Sequence, residues 1–191
     1  MEALLVSTGV VALAEIGDKT QLLALLLAAR FRKPIPIVLG ILVATLANHG
    51  LAGALGAWIT TWFTPDTLRW ILGISFIAMA AWIMVPDKID EETKTEAARF
   101  GVFITTVVLF FLVEIGDKTQ IATVALAAQY PDLLLVVLGT TLGMMLANAP
   151  VVFFGDRIAT RIPIRWVHAT AALIFVVLGV VTLMSGDRLG L

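Results

Sequence analysis

Apolar residues run almost unbroken through six stretches of the chain, 3 to 29, 35 to 60, 67 to 85, 100 to 128, 132 to 154 and 166 to 185, with polar positions gathered in the short gaps between them. A hydrocarbon layer about 30 Å thick is crossed by roughly 20 apolar residues in a helix. Each stretch is long enough, or nearly so, to span it. The pattern predicts an all-α integral membrane protein of six transmembrane helices, with no length left over for a soluble domain.

Composition points the same way. Of 191 residues, 60% are hydrophobic and 14% charged, against roughly 25% charged in soluble domains; so few charges could not cover a water-facing exterior. A net charge of −1 argues against nucleic acid as a partner, since phosphate binding needs concentrated Lys and Arg. The absence of cysteine excludes disulfides, thiolate metal sites and cysteine nucleophiles. Met1-Glu2-Ala3 lacks the basic start of a signal peptide, so the first span is expected to remain in the mature protein.

Basic residues near helix ends stay in the cytoplasm. One set of alternate gaps holds Arg30, Arg32, Lys33, Lys88, Lys94, Arg99, Arg157, Arg161 and Arg165, and the other only Arg69 and Arg188. This bias places both termini outside, with the gaps after spans one, three and five in the cytoplasm. Trp58, Trp62, Trp70, Trp82, Trp166 and Tyr130 fall near span ends, as interfacial anchors do.

The chain also repeats itself. Glu15-Ile16-Gly17-Asp18-Lys19-Thr20-Gln21 recurs unaltered as Glu114-Ile115-Gly116-Asp117-Lys118-Thr119-Gln120, and Val38-Leu39-Gly40, Leu46-Ala47-Asn48 and Arg69-Trp70 have counterparts at nearly the same offset. Two three-helix repeats follow: residues 1–85, and 100–191 beyond a charged cytoplasmic linker at 86–99. Three spans is an odd number, so the second repeat enters the membrane from the opposite face. Inverted-topology repeats of this kind favour a transporter with its site near the midplane.

Six ionisable groups fall within two of these spans. A charge at a helix centre costs about 2.5–3.5 kcal/mol on insertion scales, so Glu15, Asp18, Lys19, Glu114, Asp117 and Lys118 should face the interior. On a continuous helix Glu15, Asp18 and Gln21 share one face, as do Glu114, Asp117 and Gln120, and antiparallel packing would bring four carboxylates together. Oxygen donors without thiolates suit hard cations such as Ca²⁺, Mn²⁺ or Mg²⁺. Lys19 and Lys118 each follow a glutamate by four residues, the order that favours a helical ion pair, and read as counter-ions for Glu15 and Glu114.

Gly17 and Gly116 read either as a break that exposes carbonyls or as close packing. Asn48 and Asn148 offer amide oxygens to the ion or an interhelical hydrogen bond; Asn148 shortly precedes the helix-breaking Pro150. Gln21 and Gln120 are further oxygen candidates. His49, whose counterpart is Ala149, reads first as a hydrogen-bonded packing residue and second as a proton carrier or ligand. His168, near a span end, carries less. The acidic cluster Asp90-Glu91-Glu92 reads as solvated linker.

The twin Glu-x-Gly-Asp-Lys-Thr motifs, Glu15 to Thr20 and Glu114 to Thr119, resemble the signature of the calcium:cation antiporter-2 family, and the resemblance covers essentially the whole chain. It implies cation/proton exchange that exports Mn²⁺, or Ca²⁺, with the motif acids as binding groups. The short loops make the chain similar to prokaryotic plasma-membrane members, for which Mn²⁺ is the expected cargo. Closely set carboxylates oppose ionising together, so metal entry would expel protons and metal release would reload them. No resident cofactor and no enzymatic activity are expected. The alternatives are a passive cation channel and a carboxylate-metal intramembrane enzyme, disfavoured because Asp18 and Asp117 stand where a di-iron helix would carry histidine.

Overall fold

The computed structural model describes residues 1–85, 101–155 and 164–185. The charged linker expected at 86–99, together with Arg157, Arg161 and Arg188, lies outside the described residues. Within them every regular element is a helix: α1 (Glu2–Glu15), α2 (Lys19–Phe31), α3 (Pro34–Ile59), α4 (Pro65–Ile83), α5 (Val102–Glu114), α6 (Lys118–Gln129), α7 (Leu133–Phe154) and α8 (Ile164–Met184). Four of these, α3, α4, α7 and α8, are long and apolar enough to cross a membrane, and each matches an expected stretch to within about two residues at either end.

Local chemistry sets the boundaries. Pro34 and Pro65 occupy first-turn positions of α3 and α4, where the missing N–H costs nothing and φ is already helical. Thr64 and Asp132 cap α4 and α7, their side chains accepting from Thr67 N and Leu135 N. Pro150 sits inside α7 without ending it.

The stretches 3–29 and 100–128 depart from expectation. Each is two helices rather than one, broken at Ile16–Asp18 and at Ile115–Asp117. The cause is local. Ile16 adopts φ −65°, ψ 115° and Gly17 φ +86°, and Asp18 N donates to Glu15 O at 3.0 Å. These features are those of a type II turn, whose third residue needs positive φ and hence glycine. Ile115 (φ −61°, ψ 119°), Gly116 (φ +76°) and Asp117 N to Glu114 O at 3.0 Å repeat it.

Small residues let the helices approach backbone to backbone. On α7, Gly139 abuts Leu4 and Ser7 and Gly143 abuts Thr8 and Val11 of α1, while Ala147 O accepts from Gln21 Nε2 at 3.1 Å. On α3, Gly40 abuts Phe103 and Thr106 of α5, while Gly56 abuts Val124 and Ala127 of α6. Residue numbers climb together in both cases. Thus α7 runs alongside α1–α2 in the same direction, and α3 does so alongside α5–α6. Gly53 of α3 meets Leu133 and Val137 near the start of α7, so α3 and α7 run opposite ways. The last pair, α4 and α8, is antiparallel, with Gly73 against Leu183, Ile77 against Gly179, and the rings of Phe76 and Phe175 6.1 Å apart.

Polarity is distributed inside out. Leu39, Ile74, Leu142 and Val177 are exposed, whereas Glu15, Asp18, Asn48, His49, Glu114, Asp117, Lys118 and Asn148 are buried. Such an arrangement suits an apolar solvent, in which polar groups must be satisfied within the protein. At one end of the bundle Tyr130, between α6 and α7, meets Glu2 at the start of α1. Burial, then the neighbouring Glu2 carboxylate, raises the Tyr130 phenol above its usual value.

Candidate metal centre

Both turns deliver the same side chains to the interior. Glu15 and Glu114 are the last residues of α1 and α5, and Asp18 and Asp117 are the N-cap residues of α2 and α6. The glutamates therefore sit at helix C-termini, where the backbone dipole favours a cation, and the aspartates at N-termini, where it favours their own charge. A continuous helix would have aligned Glu15, Asp18 and Gln21 along one face. The turn replaces that alignment with a carboxylate on either side of a gap.

Three of the four acids converge. Oxygens of Glu15, Glu114 and Asp117 lie within 4.8 Å of one another, with Glu15 and Glu114 fully buried and Asp117 2% exposed. Asp18 is equally enclosed, at 3%, but is not part of this trio. Ligand oxygens 2.3–2.6 Å from one hard cation stand at most about 5 Å apart, so the trio has the spacing of a single-ion site. Glu15 Oε1 and Glu114 Oε1 are buried with no hydrogen-bond partner among the described residues.

The motif threonines hold the glutamates in place. Thr20 Oγ1 donates to Glu15 Oε2 across the first turn, and Thr119 Oγ1 lies 3.3 Å from both Glu114 Oε2 and Asp117 Oδ2. Sequence reasoning passed over both hydroxyls. The signal was their place in the repeated heptapeptide, five residues after each glutamate, a spacing that matters only once the helix is broken.

The lysines behave differently from expectation. Lys19 Nζ pairs with Asp117 Oδ1 at 2.9 Å, in the other repeat, rather than with Glu15. Lys118 Nζ donates to Val85 O at 2.8 Å, at the end of α4. The i,i+4 relation presumes an unbroken helix, and the turn lies between each glutamate and its lysine.

Gln21 and Gln120 secure the turns. Gln21 Oε1 accepts from Gly17 N at 2.9 Å and Gln120 Oε1 from Gly116 N at 2.7 Å, satisfying donors that the break leaves without a helical partner. Their amide nitrogens then reach the long helix of the opposite half: Gln21 to Ala147 O on α7, and Gln120 to Asn48 Oδ1 on α3. Asn48 thus forms one of its two expected contacts, the interhelical hydrogen bond. Asn148 Nδ2 donates back to Met144 O at 3.1 Å, while its Oδ1 is buried without a partner among the described residues.

The histidines complete the surroundings. His168 on α8 donates Nε2–H to Ile16 O at 2.8 Å, and Ile164 covers Gly17. The carbonyls freed at the first turn are therefore engaged, Glu15 O by Asp18 N and Ile16 O by His168. His49 is fully buried, and its Nε2 stands 3.9 Å from Glu114 Oε2. Among the described residues neither ring nitrogen has a hydrogen-bond partner, contrary to the expectation of a hydrogen-bonded packing residue.

The geometry thus joins a buried acidic trio to twin broken helices. Comparison with known proteins gives the same direction. A family model described as "Divalent cation/proton antiporter GDT1" matches residues 3–91 and 102–189. A protein of Vibrio cholerae serotype O1 described as "Putative manganese exporter" is 51% identical over 183 residues, 95% of this chain and 90% of that protein. GDT1-like protein 3 of Oryza sativa subsp. japonica is 27% identical, over 91% of this chain and 71% of that protein. GDT1-like protein 5 of Arabidopsis thaliana is 26% identical, over 91% of each. No solved structure matches. Motif, burial and similarity over nearly the full length agree: this multi-pass membrane protein belongs to the divalent cation/proton antiporter GDT1 family of cation transporters.

Proposed function

We propose that this chain exports a divalent cation, Mn²⁺ foremost with Ca²⁺ as the alternative, from the cytoplasm in exchange for protons. The observation that carries this reading is the buried trio Glu15, Glu114 and Asp117, drawn from both repeats and set within 4.8 Å. Carboxylates this close oppose ionising together. A divalent cation on one side competes with protons for the same oxygens, and exchange follows from that competition. The ion is cargo, and no resident cofactor or catalytic step enters the reading.

The trio is asymmetric, since Asp117 belongs to it and its counterpart Asp18 does not. In alternating access the halves exchange conformations, and Asp18 would then take the place of Asp117 beside the two glutamates. Asn148 Oδ1, buried and without a partner, is a further oxygen donor. Gln21, Gln120 and Asn48 act mainly by holding the turns against the long helices.

This mechanism needs six spans in two inverted three-helix repeats, 1–85 and 100–191, with α1–α2 and α5–α6 each serving as one broken span. The contact registers support that arrangement, because α1–α2 follows α7, α5–α6 follows α3, and α3 opposes α7. The meeting of Glu2 with Tyr130 supports setting the start of the first span and the end of the fourth at one face. With the Lys and Arg bias, that face is external, both termini lie outside, and the membrane is the cell's inner (plasma) membrane. The similarity to a bacterial protein described as a manganese exporter supports Mn²⁺ as cargo.

Reconstituted vesicles test the proposal. An imposed proton gradient should drive Mn²⁺ movement coupled to proton countermovement, and Glu114→Gln and Asp117→Asn should abolish both while leaving folded protein in the membrane. Mn²⁺ flux that follows voltage and metal gradient alone would indicate a channel; full activity in either variant would remove that acid from the site.

A further inference from the structure

His49 stands apart from the twofold pattern of the interior. It lies on α3 next to Asn48 and has no equivalent in the second half, where Ala149 occupies its place. Its side chain is fully buried, Nε2 is 3.9 Å from Glu114 Oε2, and neither ring nitrogen has a hydrogen-bond partner among the described residues. A neutral imidazole carries one N–H donor and one lone pair. Enclosed packing histidines normally satisfy both, because unmet polar groups are costly in a medium without water.

We infer that His49 supplies a nitrogen ligand to the cation held by Glu15, Glu114 and Asp117, and so biases the site toward first-row transition ions over Ca²⁺. Two ligand atoms of one hard cation stand at most about 5 Å apart, the limit that also admits the acidic trio. The 3.9 Å between His49 Nε2 and Glu114 Oε2 is therefore compatible with a shared ion and too long for a direct hydrogen bond. Calcium sites take oxygen ligands, whereas imidazole is a donor that transition ions accept. One nitrogen in an otherwise oxygen-rich site therefore costs Ca²⁺ more than it costs the first-row ion Mn²⁺. The same asymmetry explains why a single histidine suffices: the ion occupies one site shared by the halves, so one half can contribute it.

This inference rests on the acidic trio being the transport site, and its test separates the two. Pulsed electron paramagnetic resonance of Mn²⁺ bound to the purified protein should show ¹⁴N coupling from a directly bound imidazole. Labelling the histidines with ¹⁵N should shift that coupling without any mutation. Because the chain has only two histidines, His168→Gln should keep the signal and His49→Gln should remove it. In vesicles, His49→Gln and His49→Ala should lower the preference for Mn²⁺ over Ca²⁺ on the order of tenfold. Bound Mn²⁺ without nitrogen coupling, or an unchanged ion preference in both variants, would overturn the role of His49 and leave the acidic site intact. Wild-type protein that binds no Mn²⁺, or a Glu114→Gln variant that binds it equally well, would overturn the transport reading itself.

Discussion

Thr20 and Thr119 show how much of this site depends on uncharged neighbours. In an apolar medium a donor steadies a buried carboxylate, and each hydroxyl supplies one to the Oε2 of the glutamate on the far side of its turn. Replacing threonine by valine keeps the shape and removes the donor. Losing such a partner of a metal ligand typically costs about 10- to 100-fold in affinity or activity. Thr20→Val and Thr119→Val should therefore each lower Mn²⁺ affinity by about that factor, as measured by metal titration, while Thr→Ser should retain most of it. The carboxylates and glycines were legible from one repeated heptapeptide. The hydroxyls were not, because a spacing of five residues has no meaning on a straight helix.

Among the elements, the two interrupted apolar stretches are the instructive case. Apolar runs of 27 and 29 residues read as single helices, and the type II turns inside them replace helical geometry for three residues. Gly17 and Gly116 gave the clue, as residues that are disfavoured mid-helix and indispensable at positive φ. The lysine pairing was misread for the same reason, since helical geometry was carried across a turn that interrupts it. The two turns are not equally enclosed. A Cβ on Gly17 would lie 2.9 Å from Ile164 Cγ2, whereas one on Gly116 would meet nothing within 4 Å among the described residues. Both Gly→Ala variants incur the left-handed strain of about 1–2 kcal/mol, and Gly17→Ala adds a clash. Thermal unfolding should therefore show Gly17→Ala as the more destabilising of the two, with partial recovery when Ile164 is shortened to Ala. Equal losses, or no recovery, would deny the close cover of the first turn by α8.

At the scale of the whole molecule, membrane character and the duplication were readable from hydropathy and self-similarity, because both are properties of long stretches. Which half packs against which was not, since that depends on surfaces that meet only after folding. The structure answers it: the helix pairs α1–α2 and α5–α6 each lie along the long helix of the other half, and Gln21 and Gln120 reach across to Ala147 and Asn48. Each turn is therefore anchored in part by the other half. Fragments 1–91 and 92–191, cut within the acidic stretch Asp90-Glu91-Glu92, should each be produced without metal-dependent efflux, and coexpression should restore it by complementation. A single fragment that moved Mn²⁺ as a dimer of itself would contradict this. A gene encoding this protein could accordingly be divided in two between its repeats without loss, yet could not be shortened to either one.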